Sequence, residues 1–426
     1  MRFQRRVVAR TTVFCLLTLS VSGVARAQGA ITIDDAVREA IDHNLTLVAE
    51  RYSVSIARAH VLAAGLRPNP VFTYYAMLPN QNLYDHVTSP RENVIRTDVV
   101  FEAPGKRARR LEVAEQALSV AELQVVNTMR TIVVDVQSAF VDVALAKENL
   151  ALARESLQAF NDLVRVNTER VRTGDLAQVE LTRSRLAALQ FQNDVRLQEA
   201  RLVVARNKLK IVIGRTGPEA IDVAGDLRRD VVSVDVGALR TRALQQRPDV
   251  QAARRDQARS TADIRLQIAQ GKIDYTVSGE LHRQQDPNAI GNLYAMYVSV
   301  PVPIFNRNQG EIGRARQEER QIEARIRALE ADVSNEVQAA YETYAASRDV
   351  VTTIEGQMLA QARDVRSTTE YAYRRGEASF VEFLDAVRAF NDTMQSYNSA
   401  RAEYARSLYT LDATTGASVA NLKVNP

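Results

Sequence analysis

Apolar residues recur at steps of three and four along most of this 426-residue chain, which is the spacing of one face of an α-helix. Four long segments carry the pattern, and it predicts helices over 106–171, 175–213, 309–373 and 377–414. The stripe in the third segment consists of Ile322, Ile326, Leu329, Val333, Val337, Tyr341 and Tyr344. A helix of about 65 residues is roughly 100 Å long, which is more than an ordinary globular domain buries. On the helices alone, a soluble coiled-coil protein is an alternative interpretation.

Four shorter segments alternate between apolar and polar residues, which predicts β-strands over 71–78, 93–102, 273–282 and 293–302. In the second of these, Ile95 and Phe101 fall on one side of the strand, whereas Arg96 and Asp98 fall on the other. One apolar and one charged face on a segment of about ten residues is typical of a barrel wall between lipid and a wet lumen. Four such segments beside long helical hairpins argue against the soluble coiled coil.

The elements occur twice in the same order, with similar residues recurring about 202 to 204 positions apart. Each copy has a shorter helix pattern, two strands and a long helical hairpin. The first short pattern begins at Thr32, with Asp35 as its capping partner, and runs to about Leu66, and the second covers 237–270. The recurring pairs are Arg172-Thr173-Gly174-Asp175 with Arg374-Arg375-Gly376-Glu377, Gly214 with Gly416, Phe101 with Phe305, and His43-Asn44 with Arg247-Pro248.

The repeat and the N-terminal residues divide the chain into five parts. We expect a signal peptide at 1–27, a first repeat at 28–213, a connector at 214–235, a second repeat at 236–416 and a tail at 417–426. The predicted fold class is therefore a mixed α+β membrane protein with a two-fold internal repeat. Four strands cannot close a barrel, because known membrane barrels start at about eight strands. Several copies must share one wall, and a conducting lumen favours three copies with twelve strands over two copies with eight.

The first 27 residues read as an export signal. A basic start precedes a short apolar core from Val13 to Val21, and Ala25-Arg26-Ala27 offers the small residues of a cleavage site before Gln28. An N-terminal membrane anchor is the alternative. The only cysteine, Cys15, lies in this segment, so the predicted mature chain has no disulfide or thiolate site.

Removing the signal changes the charge balance. The whole chain has 55 Lys and Arg against 51 Asp and Glu, and five Arg but no acid lie in residues 1–27. The remainder therefore carries 50 basic and 51 acidic residues, a formal net charge of −1. A nucleic-acid binder should keep a basic surface after processing, so we expect no nucleic-acid partner.

No pattern in the sequence predicts catalysis, a resident metal or a cofactor. The four histidines, His43, His60, His86 and His282, are not paired at metal-ligand spacing. Gly214 and Gly217 lack the strand-to-helix context of a phosphate-binding loop. We expect a protein that is not an enzyme.

Several segments resemble the TolC-type outer-membrane efflux factor family, and most closely its CzcC-like, heavy-metal branch. They are ITIDDAVREAIDHN at 31–44, AGLRPNP at 64–70, VPIFNRNQGEIGRAR at 301–315 and YRRGEASFVEFLDA at 373–386. The resemblance covers nearly all of the chain after the signal. It implies a homotrimer in which a twelve-stranded outer-membrane β-barrel continues into a twelve-helix periplasmic tunnel. It also implies a periplasmic adaptor (membrane fusion) protein and an inner-membrane pump, typically proton-driven, as partners.

The same resemblance assigns roles to the two hairpin turns and to the residues beside them. The turns are Arg172, Thr173, Gly174 and Asp175 in the first repeat, and Arg374, Arg375, Gly376 and Glu377 in the second. The resemblance makes them the periplasmic tip at which the adaptor docks, whereas the residues alone fit two plain hairpin turns equally well. Glu382 and Asp385 share a helix face, and the resemblance implies acid rings at a narrow entrance, with Glu180 and Tyr373 as further entrance residues. The alternative is that they are ordinary solvated charges.

The sequence thus predicts an outer-membrane exit duct with a periplasmic extension, which conducts its substrates passively. The CzcC-like resemblance implies divalent metal cations as cargo, whereas export of drugs or other organic compounds through the same duct is the alternative. A periplasmic structural coiled-coil protein is the alternative outside transport.

Overall fold

The structure is a computed structural model that describes residues 30–77, 91–231, 235–286 and 289–420. The predicted signal peptide, its cleavage site, Cys15, His86 and the end of the predicted tail lie outside these described residues.

Among the described residues, the elements of the first half are four helices and two strands. They are α1 (Ile33–His43), α2 (Leu45–Ala64), β1 (Val71–Met77), β2 (Arg91–Phe101), α3 (Lys106–Thr173) and α4 (Gln178–Val212). The single helix expected from Thr32 to Leu66 is wrong in one respect, because it breaks at Asn44. The Asn44 side chain accepts a hydrogen bond from the Leu47 amide at 3.1 Å and thereby caps the start of α2.

The described part of the second half follows the same order with two differences, because its first long helix is interrupted and a short helix follows the last long one. Its elements are α5 (Val236–Gln246), α6 (Pro248–Gln270), β3 (Tyr275–Asp286), β4 (Ala289–Ser299), α7 (Gln309–Thr353), α8 (Leu359–Arg375), α9 (Phe380–Thr414) and α10 (Ala417–Ala420). The helix expected over 237–270 is broken at Arg247, because Pro248 starts a new helix. The helix expected over 309–373 contains a π-helical turn at Ile354–Met358, whereas α3 is continuous.

In each half, one glycine at the end of the long hairpin packs against the backbone where the two shorter helices meet. Gly214 has φ 85° and Gly416 has φ 77°, so both adopt the left-handed conformation. A Cβ on Gly214 would lie 2.2 Å from the carbonyl oxygen of His43, and a Cβ on Gly416 would lie 3.2 Å from that of Gln246. The same contact is therefore made in both halves. This contact matches His43 with Gln246 and Asn44 with Arg247. The sequence comparison had matched His43 with Arg247 and Asn44 with Pro248, so the structural alignment of the halves is shifted by one residue.

The four strands form one antiparallel sheet in the order β1-β2-β3-β4. The structure places β3 and β4 two to four residues away from their predicted bounds. Ile95 pairs with Tyr74 on one side and Leu281 on the other, and all three side chains are exposed. On the opposite face, Arg96 donates to Asp98 at 2.8 Å. The sheet thus has an exposed apolar face and a polar face, and β1 and β4 are its edges.

The packed core lies among the helices. One cluster joins α1, α2, α3 and α4 and includes Leu47, Val136 and Leu209, which are fully buried. A second cluster joins α5, α6, α7 and α9 and includes Val333 and Tyr344. Within the described ranges, no helix is long and apolar enough to cross a membrane.

Candidate functional site

Both hairpin tips end in the same backbone motif. Helix α3 ends at Gly174 with φ 86°, and the Asp175 amide donates to the Arg170 carbonyl at 2.8 Å. Helix α8 ends at Gly376 with φ 80°, and the Glu377 amide donates to the Ala372 carbonyl at 2.9 Å. This hydrogen bond across six residues closes a helix through a left-handed residue. A Cβ at either glycine would meet no atom within 4 Å, so the backbone conformation alone favours glycine there.

The other tip side chains are exposed, and the three arginines among them interact with neighbours on their own helix. Arg172 donates to Glu169 at 2.7 Å, and Arg374 donates to Glu370 at 2.6 Å. The Arg375 guanidinium lies 4.6 Å from the centre of the Tyr371 ring. Exposed pairs of this kind contribute little to stability. The charged groups of the tips are accessible to solvent.

The two helices that leave the tips start differently. Helix α9 begins with a capping box, in which the Ser379 amide and hydroxyl donate to Glu382 Oε2 at 2.7 and 2.9 Å. The hydrogen bond from the Ser379 backbone, followed by that from its hydroxyl, lowers the pKa of Glu382. Helix α4 has Ala177 at its N-cap and no side-chain capping bond. The Ser-x-x-Glu spacing at 379–382 is a readable capping signal that the sequence interpretation missed.

The acids predicted to line the entrance occupy different surroundings. Glu382 and Asp385 are both exposed on one side of α9, one turn apart. Glu180 is partly buried and accepts from Arg183 at 2.9 Å, and its Oε2 atom is buried without a hydrogen bond among the described residues. Burial raises the pKa of Tyr373, and the negative charge of Glu180 adds to that shift.

Tyr373 is buried rather than exposed at an opening. Its side chain is 4% exposed, and its hydroxyl accepts a hydrogen bond from Asn167 Nδ2 at 2.9 Å. Its ring stacks on Phe383 with a centroid distance of 5.3 Å. Burial is the main cause that raises the pKa of Tyr373. No pattern in the sequence identifies Asn167, because one polar residue in a long helix reveals no partner 206 positions away.

Buried and partly buried polar contacts continue along the seam between α3 and α9. Asn398 Nδ2 donates to Asn149 Oδ1 at 3.0 Å, and the Ser156 hydroxyl donates to Asn391 Oδ1 at 3.1 Å. Asn149 and Ser156 are seven residues apart, as are Asn391 and Asn398, which is the repeat of an antiparallel coiled coil. The two halves of the chain therefore meet through hydrogen-bonded layers as well as apolar ones.

The histidines form no metal site in the described part of the chain. His43 Nδ1 lies 3.2 Å from the Glu39 carbonyl oxygen, and His282 Nε2 lies 3.5 Å from Glu92 Oε2. Among the described residues, no group of three or more potential metal-ligating side chains occurs.

The model of the outer membrane efflux protein family matches residues 36–215 and 239–417 of the chain. The cobalt-zinc-cadmium resistance protein CzcC of Cupriavidus metallidurans is 23% identical over 390 residues, which cover 92% of this chain and 91% of that protein. A solved structure of CusC superposes with a TM-score of 0.76 at 19% identity, covering 90% of this chain and 92% of that one. The open-state MtrE channel of Neisseria gonorrhoeae gives a TM-score of 0.74 at 15% identity, over 91% of this chain and 89% of that one.

Proposed function

Because the chain belongs to the outer membrane efflux protein family, we propose that it is the exit duct of a three-component efflux pump. The duct lies in the outer membrane, extends into the periplasm and conducts its cargo passively to the exterior. An inner-membrane pump, driven by protons, supplies the energy, and a periplasmic adaptor protein joins the pump to the duct. The chain is a channel and not an enzyme.

The observation that carries this proposal is the two-faced sheet with two open edges. Tyr74, Ile95 and Met296 expose 59%, 40% and 78% of their surface on the apolar face, which suits contact with lipid. Arg96 and Asp98 lie on the other face, which suits a water-filled lumen. Among the described residues, the outer backbone groups of edge strands β1 and β4 are unpaired, and a neighbouring copy supplies their partners. Three copies then make a wall of twelve strands, continued by the long helices as a periplasmic tunnel.

The proposed cargo is divalent metal cations. Its support is the similarity to CzcC, whose name assigns it to cobalt, zinc and cadmium resistance. The duct needs no resident metal ligands, because selection of the cargo belongs to the pump. Organic compounds are the alternative cargo, and a periplasmic structural coiled coil is the alternative function.

We assign different roles to the two tips and to the residues beside them. The turns at Arg172–Asp175 and Arg374–Glu377 are accessible to solvent, and we assign them to adaptor docking. Glu382 and Asp385 are assigned to the entrance, with Glu180 and Tyr373 behind them. The capping box lowers the pKa of Glu382, so this carboxylate stays charged to a lower pH than an ordinary glutamate.

Two measurements test the function. The purified protein in planar bilayers should give discrete conductance steps, and the absence of any pore together with extraction without detergent would support the structural coiled coil. In the source bacterium, loss of the gene should raise sensitivity to zinc, cobalt or cadmium, with complementation restoring growth. Unchanged metal sensitivity with raised sensitivity to organic toxins would replace the proposed cargo and leave the duct intact.

A further inference from the structure

A cavity of about 850 Å³ lies over α3, between α2 and α6. Its apolar floor includes Val54, Val125 and Met129, which are 6%, 4% and 2% exposed. The volume is in the range of cavities that hold small organic ligands, which are also mostly apolar with a few polar groups. It lies apart from the hairpin tips and from the sheet.

The rim of this cavity is strongly basic. Four arginines line it, Arg51 and Arg58 from α2 and Arg254 and Arg255 from α6, against one acid, Glu122. The two walls are equivalent helices of the repeat, because Arg51 follows Asn44 by seven residues as Arg254 follows Arg247. The same position therefore supplies a guanidinium to each wall.

Two of the four positive charges have no acidic partner within the described residues. Arg254 pairs with Glu330 at 3.1 Å, and Arg58 lies 3.9 Å from Glu122. Arg51 donates to the Ile41 carbonyl at 3.0 Å, which orients the group but leaves its charge uncompensated. Arg255 makes no hydrogen bond or ion pair with any described residue and is exposed.

We propose that this cavity binds a small amphipathic anion, with an apolar body on the floor and one sulfonate, phosphate or carboxylate head at the rim. The guanidinium group presents planar, paired donors that match such heads, and its charge is permanent. Burial of the apolar body over Val125 and Met129 supplies the rest of the affinity. The proposal does not rest on the efflux function, because one chain provides every residue of the site.

Two probes with the same ring system distinguish the contribution of the anionic head to binding from that of the apolar body. 8-Anilinonaphthalene-1-sulfonate carries the anionic head, and N-phenyl-1-naphthylamine is its uncharged counterpart. Each is titrated against the full mature chain in lipid nanodiscs, with empty nanodiscs subtracted. We expect one saturable sulfonate site per chain. Arg255→Gln should weaken it about tenfold, the effect of one lost charge-assisted hydrogen bond, and Arg51→Gln should weaken it further.

The matched control is Arg316→Gln. Arg316 is an exposed arginine of α7 that lies outside the cavity and makes no hydrogen bond or ion pair with any described residue. The Arg316→Gln variant should leave sulfonate binding unchanged, and no variant should change binding of the uncharged probe. Equal sulfonate affinity in Arg255→Gln and the parent would overturn the proposal. An equal loss of sulfonate affinity in Arg316→Gln and Arg255→Gln would also overturn it. So would the absence of a saturable sulfonate site in the parent and every variant, which would mean that another copy of the chain covers the cavity.

Discussion

Asn167 and Tyr373 are 206 positions apart in the chain, yet their side chains are joined in the interior by a hydrogen bond of 2.9 Å. Asn167 belongs to the first hairpin and Tyr373 to the second. Asn167 is completely buried and Tyr373 nearly so, and Phe383 stacks on the tyrosine ring. The bond therefore fastens the two hairpins to each other in the interior of the protein, close to their tips.

Removing the Tyr373 hydroxyl should loosen this junction. Tyr373→Phe keeps the ring stacked on Phe383 but leaves the Asn167 amide buried without its partner, which costs about 1–3 kcal/mol. We expect faster amide hydrogen exchange in α8 and more frequent openings of the resting channel in planar bilayers. The matched control is Tyr371→Phe, because Tyr371 is 56% exposed and its ring contact with Arg375 needs no hydroxyl. Equal exchange rates in the two variants would show that the hydrogen bond does not hold the hairpins together.

Alanine should have very different effects at two glycines that share the left-handed conformation. Gly174→Ala adds only the backbone penalty of about 1 kcal/mol, because open space surrounds the new Cβ. Gly214→Ala adds the same penalty and places its Cβ 2.2 Å from the His43 carbonyl oxygen, where a backbone must move. We expect normal amounts of folded Gly174→Ala protein in the outer-membrane fraction and little or none of Gly214→Ala. Similar yields of both would contradict the contact between α1 and the end of α4.

Adaptor docking at the tips can be mapped with photoreactive side chains at Thr173 and Arg375. Both positions are exposed, and the interactions of both side chains are local: the Thr173 hydroxyl donates to Asp175 at 2.6 Å, and Arg375 lies over the Tyr371 ring. We expect crosslinks to a co-expressed adaptor from each position. The control is Val203 of α4, which is 55% exposed and distant in sequence from the turn. Crosslinks from Val203 alone would move the docking surface away from the tips.

The entrance acids should control ion selectivity. Glu382→Gln with Asp385→Asn removes two carboxylates per chain, and glutamine preserves the capping box, so the helix start should survive. We expect weaker cation selectivity in planar bilayers and no block by multivalent cations added on the periplasmic side. Glu377→Gln, which removes an exposed tip acid, is the matched control. Undiminished block in the double variant would mean that both acids are ordinary solvated charges.

The same site predicts a dependence on pH. The folded-state pKa of Glu382 is below its ordinary value of about 4.3, because the Ser379 amide and hydroxyl donate to the carboxylate. Its stabilising effect on the helix start is therefore complete above that ordinary value. It is lost as the pH falls through the lower folded-state pKa, and so is its contribution to cation selectivity. In Ser379→Ala the loss of selectivity should move to higher pH, which single-channel reversal potentials measure.

The sequence predicted what local chemistry controls. The period of the apolar residues gave the long helices, and Gly174 and Gly376 gave the turns, because only glycine adopts that backbone conformation cheaply. The break at Asn44 was missed because asparagine interrupts a helix only when its side chain caps the next one. Strand ends shifted by a few residues, since hydrogen bonds to neighbouring strands decide where pairing stops.

The tertiary contacts of the site could not be predicted from local sequence patterns. The partnership of Asn167 and Tyr373 depends on how two distant hairpins pack, and no local pattern contains that information. The π-helical turn at Ile354–Met358 likewise has no counterpart in the first half, although both halves have a similar apolar period. The capping box at Ser379 and Glu382 is the exception, because its spacing was present in the sequence.

The duplicated contact of Gly214 and Gly416 also bears on the ancestry of the chain. A glycine that packs on a carbonyl depends on no side chain around it, so the contact outlasts nearly complete replacement of the neighbouring residues. Its presence in both halves is what the doubling of one ancestral unit would leave. Such a unit, with two strands and one hairpin, would need six identical copies to build the twelve-stranded wall proposed for three of the present chain. Fusion into pairs would leave the halves free to diverge, and among the described residues the π-helical turn and the Ser379 cap lie in the second half, whereas α3 is continuous and α4 has no side-chain cap.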